Sequence, residues 1–166
     1  DIPMMILATR DFSVRILGKA EMTRIPVFGF IYKTGAVTVK RDSPEDRKES
    51  IRKLKDFLKE KISILICPEG TFNMTGSPLK EFYDGAFRIA IELQEPIVPI
   101  IFPDTYDRLN YHSIFSLSPG ICRAIILSPV STIGMNENDI PELRRKIYSI
   151  MEKEVLQLNA SWIKKV

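Results

Sequence analysis

The chain has 166 residues, 45% of them hydrophobic and 27% charged, a size and balance that suit one globular domain with its own core and exclude a disordered or fibrous chain. Its 24 Lys and Arg against 21 Asp and Glu leave a formal charge of +3, which fits a phosphate-bearing substrate or an anionic membrane surface and is too slight for a nucleic-acid binder. Only two cysteines occur, Cys67 and Cys122; they read as free buried thiols of a reducing compartment, and no apolar run reaches the ~20 residues of a membrane-spanning helix.

Alternation of apolar residues predicts a short strand over 14–17. Met22, Ile25 and Phe28 follow at helical spacing over 20–32, interrupted by Pro26 and Gly29, and Val37 and Val39 alternate as a second strand. Ser43-Pro44-Glu45-Asp46 is a helix start, with Ser43 as cap, Pro44 at the first helical position and an acid three residues after the cap. Ile51, Leu54, Phe57 and Leu58 form its apolar face, and the Lys and Arg residues over 47–61 its solvated one. A strand follows over 62–67, a helix over 85–93, and a continuously apolar strand over 97–102, as expected where both faces are covered. Residues 103–120 read as a long loop holding Tyr106, Leu109, Tyr111, Phe115 and Leu117, and residues 121–127 as a further strand. Asp139-Ile140-Pro141-Glu142 opens a last amphipathic helix with Leu143, Ile147, Ile150, Met151 and Leu158 on its face. Strands alternating with helices imply an α/β fold, a mainly parallel central sheet covered by helices.

The strand over 62–67 runs directly into Pro68-Glu69-Gly70-Thr71. Pro68 has no N–H to donate and ends the ladder, Gly70 permits a tight turn, and Glu69 is left at the carboxyl end of a strand, where α/β sheets bind ligands. No Gly-x-Ser-x-Gly elbow or phosphate-binding glycine loop is present, no residue set has metal-ligand spacing, and Cys67 has no histidine beside it to make it a nucleophile. The sole histidine, His112, reads as a surface or capping residue.

Four segments then stand in order: Asp1-Ile2-Pro3; Pro26 to Arg41, containing Gly29, Gly35, Val37 and Lys40; Cys67-Pro68-Glu69-Gly70-Thr71; and Ile97-Val98-Pro99-Ile100-Ile101. In these segments, and in the stretch Phe82-Tyr83-Asp84-Gly85-Ala86-Phe87 between the last two, the chain resembles the 1-acyl-glycerol-3-phosphate acyltransferase family of glycerophospholipid acyltransferases. That family is marked by Asn-His-x-x-x-x-Asp, a Pro-x-x-Gly segment ending in Arg, Phe-Pro-Glu-Gly-Thr-Arg-Ser and a Val-Pro-Ile strand. The resemblance runs from Asp1 to about Phe102.

It implies a single acyltransferase domain over 1–166, with Asp1 orienting a histidine that the motif places ahead of it and that this chain does not include. The chain therefore reads as a fragment, with the catalytic histidine and any membrane anchor upstream, and is expected to be inactive as given. Glu69 is implied as a second catalytic-site residue that seats the acceptor, together with Gly70 and Thr71. Arg41 with Lys40 is implied to meet a phosphate. Phe72 and Asn73 stand where the family has Arg and Ser, and Lys80 or Lys40 is a candidate to replace that lost charge. The implied reaction moves a fatty acyl group from acyl-CoA or acyl carrier protein to lysophosphatidic acid, without cofactor or metal, at the cytoplasmic face of a membrane. The loop holding Phe115 and Leu117 is a candidate aid to membrane contact, and Trp162 with Lys164 and Lys165 reads as an interfacial patch or a frayed end. An acyltransferase for another lysolipid, or a non-catalytic lipid-binding module, are the alternative readings.

Overall fold

The structure, a computed structural model, describes residues 2–19, 36–39, 44–110 and 113–163. The chain falls into two compact units, Thr9–Cys67 and a second of Asp1–Ala8 with Pro68–Val166.

The unit Thr9–Cys67 carries the expected parallel sheet. β1 (Val14–Lys19) lies between β2 (Ala36–Val39) and β3 (Ser63–Leu65), and Ile16 pairs with Ala36 on one side and Leu65 on the other. β1 runs two residues past the expected end because Gly18 and Lys19 still pair with Thr38 and Val39. α2 (Pro44–Lys59) joins β2 to β3 and packs against both. Pro44 begins it as the sequence indicates, with Glu45 and Asp46 favourably placed in the first turn; the expected cap, Ser43, lies outside the described residues. Of its expected packing face, Leu54 is buried and Phe57 and Leu58 half-buried, and only Ile51 departs. Ser50 and Leu54 are buried while Ile51 is exposed, and the Ser50 hydroxyl donates to the Asp46 carbonyl at 2.7 Å, which allows a polar residue inside. Lys61, in the left-handed region at φ 64°, then turns the chain, and the Ile62 amide donates to the Phe57 carbonyl at 2.9 Å. The ladder of β3 ends at Leu65, short of the expected 67, and Cys67 is exposed rather than a buried thiol.

In the other unit, α1 (Ile2–Ala8) buries Met5. After residue 68 come α3 (Gly85–Leu93), β4 (Ile100–Ile101), α4 (Thr105–Arg108), β5 (Ile125–Ile126) and α5 (Ile140–Gln157). Leu143, Ile147 and Val155 of α5 meet Phe87 and Ile91 of α3, with Ile101 and Val130, in one apolar core. The expected strands over 97–102 and 121–127 are much shorter and pair with each other antiparallel: Ile100 with Ile126 and Ile101 with Ile125, plus a bridge of Ile97 to Val130. Proline is the reason. Pro96, Pro99 and Pro103 on one side and Pro129 on the other bring no N–H to a ladder. Val98, expected inside, is 42% exposed, and Ile121 is 81% exposed.

Residues 103–120, expected as loop throughout, contain α4 and a 3-10 turn, Ile114–Ser116. Asp104 fixes this segment through a two-pronged ion pair with Arg123, at 2.6 and 2.8 Å, and accepts the Arg123 amide at 2.8 Å. His112 lies outside the described residues. Cys122, expected buried, is half-buried; burial and the Asp104 charge push its thiol pKa up, which keeps it a thiol. Trp162 is not frayed: its ring packs against the core and its indole N–H donates to the Pro78 carbonyl at 3.3 Å. Lys164 and Lys165 lie outside the described residues.

Candidate active site

The loop of residues 68–83 is closed at its base, where the Tyr83 amide donates to the Pro68 carbonyl at 3.0 Å. Gly70 takes φ +70°, and a Cβ built there would stand 2.8 Å from the Tyr83 ring. The positive φ favours glycine, and the absence of a Cβ leaves room for the aromatic ring. The far side of the loop is held by its own side chains. Asn73 Oδ1 accepts from the Thr75 amide at 3.1 Å and hydroxyl at 2.7 Å, and Asn73 Nδ2 donates to the Ser77 carbonyl at 2.9 Å. Asn73, a departure from the family's serine, therefore builds the turn.

Glu69 is half-buried within this loop. Burial pushes its carboxyl pKa up, opposed by the Lys80 amide, which donates to it, and by the charge of the Lys80 ammonium. A third group stands near. Tyr148 of α5 has its pKa raised by burial first, then by the charge and hydrogen bond of Glu152, and last by the charge of Glu69. Its hydroxyl also reaches the Leu79 carbonyl, at 3.3 Å.

Of the residues singled out in the sequence, Glu69, Gly70 and Lys80 come together in one loop. Thr71 is in the same loop and exposed, its hydroxyl directed at the Phe72 carbonyl at 3.4 Å. Phe72 is exposed as well. Asp1, Lys40 and Arg41 lie outside the described residues. Sequence reasoning missed Tyr148, because a tyrosine on an amphipathic helix carries no signal of its neighbours. It also missed Tyr83 as the wall against Gly70, although Tyr83 stands within a stretch already noted for its resemblance. Among the described residues no group of His, Cys, Asp and Glu is placed to hold a metal ion.

Residues 1–103 match the family model named Acyltransferase. The chain belongs to the acyltransferase family. Similar to this acyltransferase domain are the 1-acyl-sn-glycerol-3-phosphate acyltransferases of Haemophilus influenzae, 29% identical over 145 residues, and Escherichia coli, 30% identical over 145 residues; the alignments take in 86% of this chain and 59% and 58% of those proteins. A crystal structure of the 1-acyl-sn-glycerophosphate acyltransferase of Thermotoga maritima superposes with a TM-score of 0.70 at 24% identity, covering 92% of this chain and 59% of that one. That likeness shows the fold of this acyltransferase domain, with its parallel sheet. The chain spans about six tenths of the length of the relatives it matches.

Proposed function

We propose that the domain transfers a fatty acyl group from acyl-CoA or acyl carrier protein to 1-acyl-glycerol-3-phosphate, forming phosphatidic acid. The observation that carries this reading is the 29–30% identity over 145 residues to proteins of that name. In the reaction the acceptor's free hydroxyl attacks the thioester carbonyl, the new C–O bond forms, the C–S bond breaks, and the hydroxyl proton passes through a base to the leaving thiolate. No cofactor enters that balance. An ordinary aspartate, with a pKa near ~3.9, is a feeble base toward an alcohol. We assign the base to the histidine of the family's Asn-His-x-x-x-x-Asp motif and its orientation to Asp1.

Glu69, Gly70 and Thr71 are assigned to seating the acceptor. The charge of Lys80 lowers the Glu69 pKa against the effect of burial. The acceptor's phosphate is assigned to Arg41 with Lys40, with Lys80 a second candidate for the charge of the arginine whose place Phe72 takes. The acceptor is a bilayer lipid and the donor a soluble thioester, which places the work at a membrane surface, on the cytoplasmic face.

The test is thiol release from acyl-CoA and from acyl carrier protein, by the protein that carries this domain, with a panel of lysolipid acceptors. Release that depends on lysophosphatidic acid and exceeds that with lysophosphatidylcholine or lysophosphatidylethanolamine is expected. Release indifferent to the acceptor, or faster with a lysolipid that carries no terminal phosphate, overturns the reading.

A further inference from the structure

Two loops of the unit that holds the acceptor turn are built inside out. At the tip of the 68–83 loop, Phe72 and Met74 are exposed while Asn73 between them is half-buried. At the 3-10 turn Ile114–Ser116, Phe115 is 89% exposed and the following Leu117 72%, while Ser116 between them is half-buried. The polar side chains serve the loops themselves. Asn73 holds the Thr75 amide and hydroxyl and the Ser77 carbonyl, and the Thr75 hydroxyl oxygen accepts the Ser77 amide at 3.1 Å. Ser116 Oγ accepts the Asn110 amide at 3.1 Å and donates to the Ser113 carbonyl at 2.6 Å, and Ser113 Oγ accepts the Phe115 amide at 3.0 Å. No Asp, Glu, Lys or Arg occurs over 70–79 or over 109–122. The second loop is closed at its base, where the Arg108 guanidinium donates to the Pro119 carbonyl at 2.8 Å and the Arg108 carbonyl accepts the Ser118 amide at 2.9 Å. Adjacent residues tie the two roots together. Trp162 Nε1 donates to the Pro78 carbonyl at 3.3 Å, and the Ser161 hydroxyl to the Asp107 carboxylate at 2.6 Å. Consecutive residues stand ~3.8 Å apart, so the two loops are rooted side by side.

We infer that these two tips form the surface by which this unit enters a lipid bilayer, with Phe72, Met74, Phe115 and Leu117 in the interfacial layer. A loop surrounded by water turns its polar side chains outward and leaves its amides to solvent. Here the hydroxyls and the Asn73 amide group satisfy the main chain and the apolar side chains face out, the arrangement that a low-dielectric occupant requires. Uncharged tips avoid the cost of carrying an ion out of water. Charges return only at the roots, at Lys80 and Glu81 and at Asp107, Arg108 and Arg123. The choice of a bilayer over a protein partner rests on the lipid acceptor proposed above. Phe72 lies three residues from Glu69, so entry of its tip brings the acceptor turn to the plane in which such a lipid sits.

The experiment places a nitroxide at one position at a time in a chain carrying Cys67→Ser and Cys122→Ser. Phe72→Cys and Phe115→Cys report the tips, and Glu142→Cys, exposed in the first turn of α5, is the control. Vesicles of equimolar phosphatidylcholine and phosphatidylglycerol are added without lysolipid or thioester, and collisions with oxygen and with a water-soluble nickel chelate are compared by power saturation. Oxygen is expected to gain over the chelate at positions 72 and 115 and not at 142. In the chain without label, Phe72→Ser with Met74→Ser, and Phe115→Ser with Leu117→Ser, are each expected to weaken vesicle binding about tenfold. Their circular dichroism should match that of the unaltered chain, because all four side chains are exposed. Tips that stay open to the chelate with vesicles present overturn the inference, and so does entry of one tip without the other. A nitroxide already immobilised before lipid is added also overturns it, because a second copy or another stretch of the chain then covers the tips. No turnover is measured, so tip entry without acyl transfer, or acyl transfer without tip entry, separates this inference from the proposed activity.

Discussion

Gly70 and Glu69 occupy adjacent positions with opposite requirements, one of backbone and one of charge. At Gly70 two penalties compete in a Gly70→Ala variant. An L-residue in the left-handed region costs roughly 1–2 kcal/mol whatever surrounds it, whereas the 2.8 Å approach of the Tyr83 ring is relieved if that exposed ring swings aside. The backbone penalty is therefore expected to dominate. Gly70→Ala should lose about 1–2 kcal/mol in urea unfolding, and adding Tyr83→Ala should recover little of it; full recovery would assign the cost to the ring. At Glu69, burial holds the carboxyl pKa above its ordinary 4.5. A carboxyl whose pKa is higher folded than unfolded binds its proton more tightly in the native chain, so its stabilising contribution is complete below the unfolded value and lost as the pH rises through the folded one. Glu69→Gln stays neutral throughout. The melting temperature of the variant minus that of the unaltered protein is therefore expected to grow as the pH rises from the ordinary glutamate pKa through the higher folded one; a constant difference would mean that Glu69 is not destabilised by its burial.

The end of α3 shows how one side chain joins elements. Gln94 terminates the helix at φ 55°, a left-handed position where glycine is preferred. Its amide group, however, donates to the Ile91 carbonyl at 2.6 Å and the Met135 carbonyl at 3.0 Å, and accepts the Gly134 amide at 2.6 Å. Gln94→Gly relieves about 1 kcal/mol of backbone cost and removes three bonds of about 1 kcal/mol each. Net destabilisation of about 1–2 kcal/mol is expected by chemical denaturation, and a more stable variant would show that solvent replaces those bonds without loss. Elements with strong local signals were legible in the sequence: Pro44 and the acids after it announced α2, and Ile140-Pro141-Glu142 announced α5. The length and pairing of the strands near 97–102 and 121–127 were not, because an apolar run names no partner strand and does not guarantee burial, as exposed Val98 and Ile121 show, and prolines at 96, 99, 103 and 129 decide how far a ladder extends. The exchange of Ile51 for Ser50 on the inner face of α2 was hidden as well, since a hydroxyl satisfied by its own helix can occupy an inward position.

Across the whole chain, the part of the site that sequence revealed is the part held in contiguous motifs. Pro68-Glu69-Gly70-Thr71 predicts its own turn, because each residue restricts the next. Carbonyls farther along the same loop, at Pro78, Leu79 and Phe82, are met by Trp162, Tyr148 and Arg144, and no local pattern connects such distant residues. The same distinction governs the acceptor's phosphate. Phe72 removes the cation that the family motif supplies within the turn. If the acceptor is phosphate-headed, the second block of the resemblance offers Arg41 to meet its charge. Arg41→Ala in the protein that carries this domain is then expected to raise the KM for lysophosphatidic acid about tenfold to a hundredfold, the equivalent of a charge-assisted hydrogen bond of ~1.5–3 kcal/mol. The KM for acyl-CoA should change little. Lys80→Ala should act differently, raising the pKa that governs the pH profile of the acceptor KM, because the group it relieves is Glu69. Parallel kinetics for the two substrates in Arg41→Ala would instead mark that arginine as structural, and would return the choice of acceptor to the lysolipids that carry no terminal phosphate.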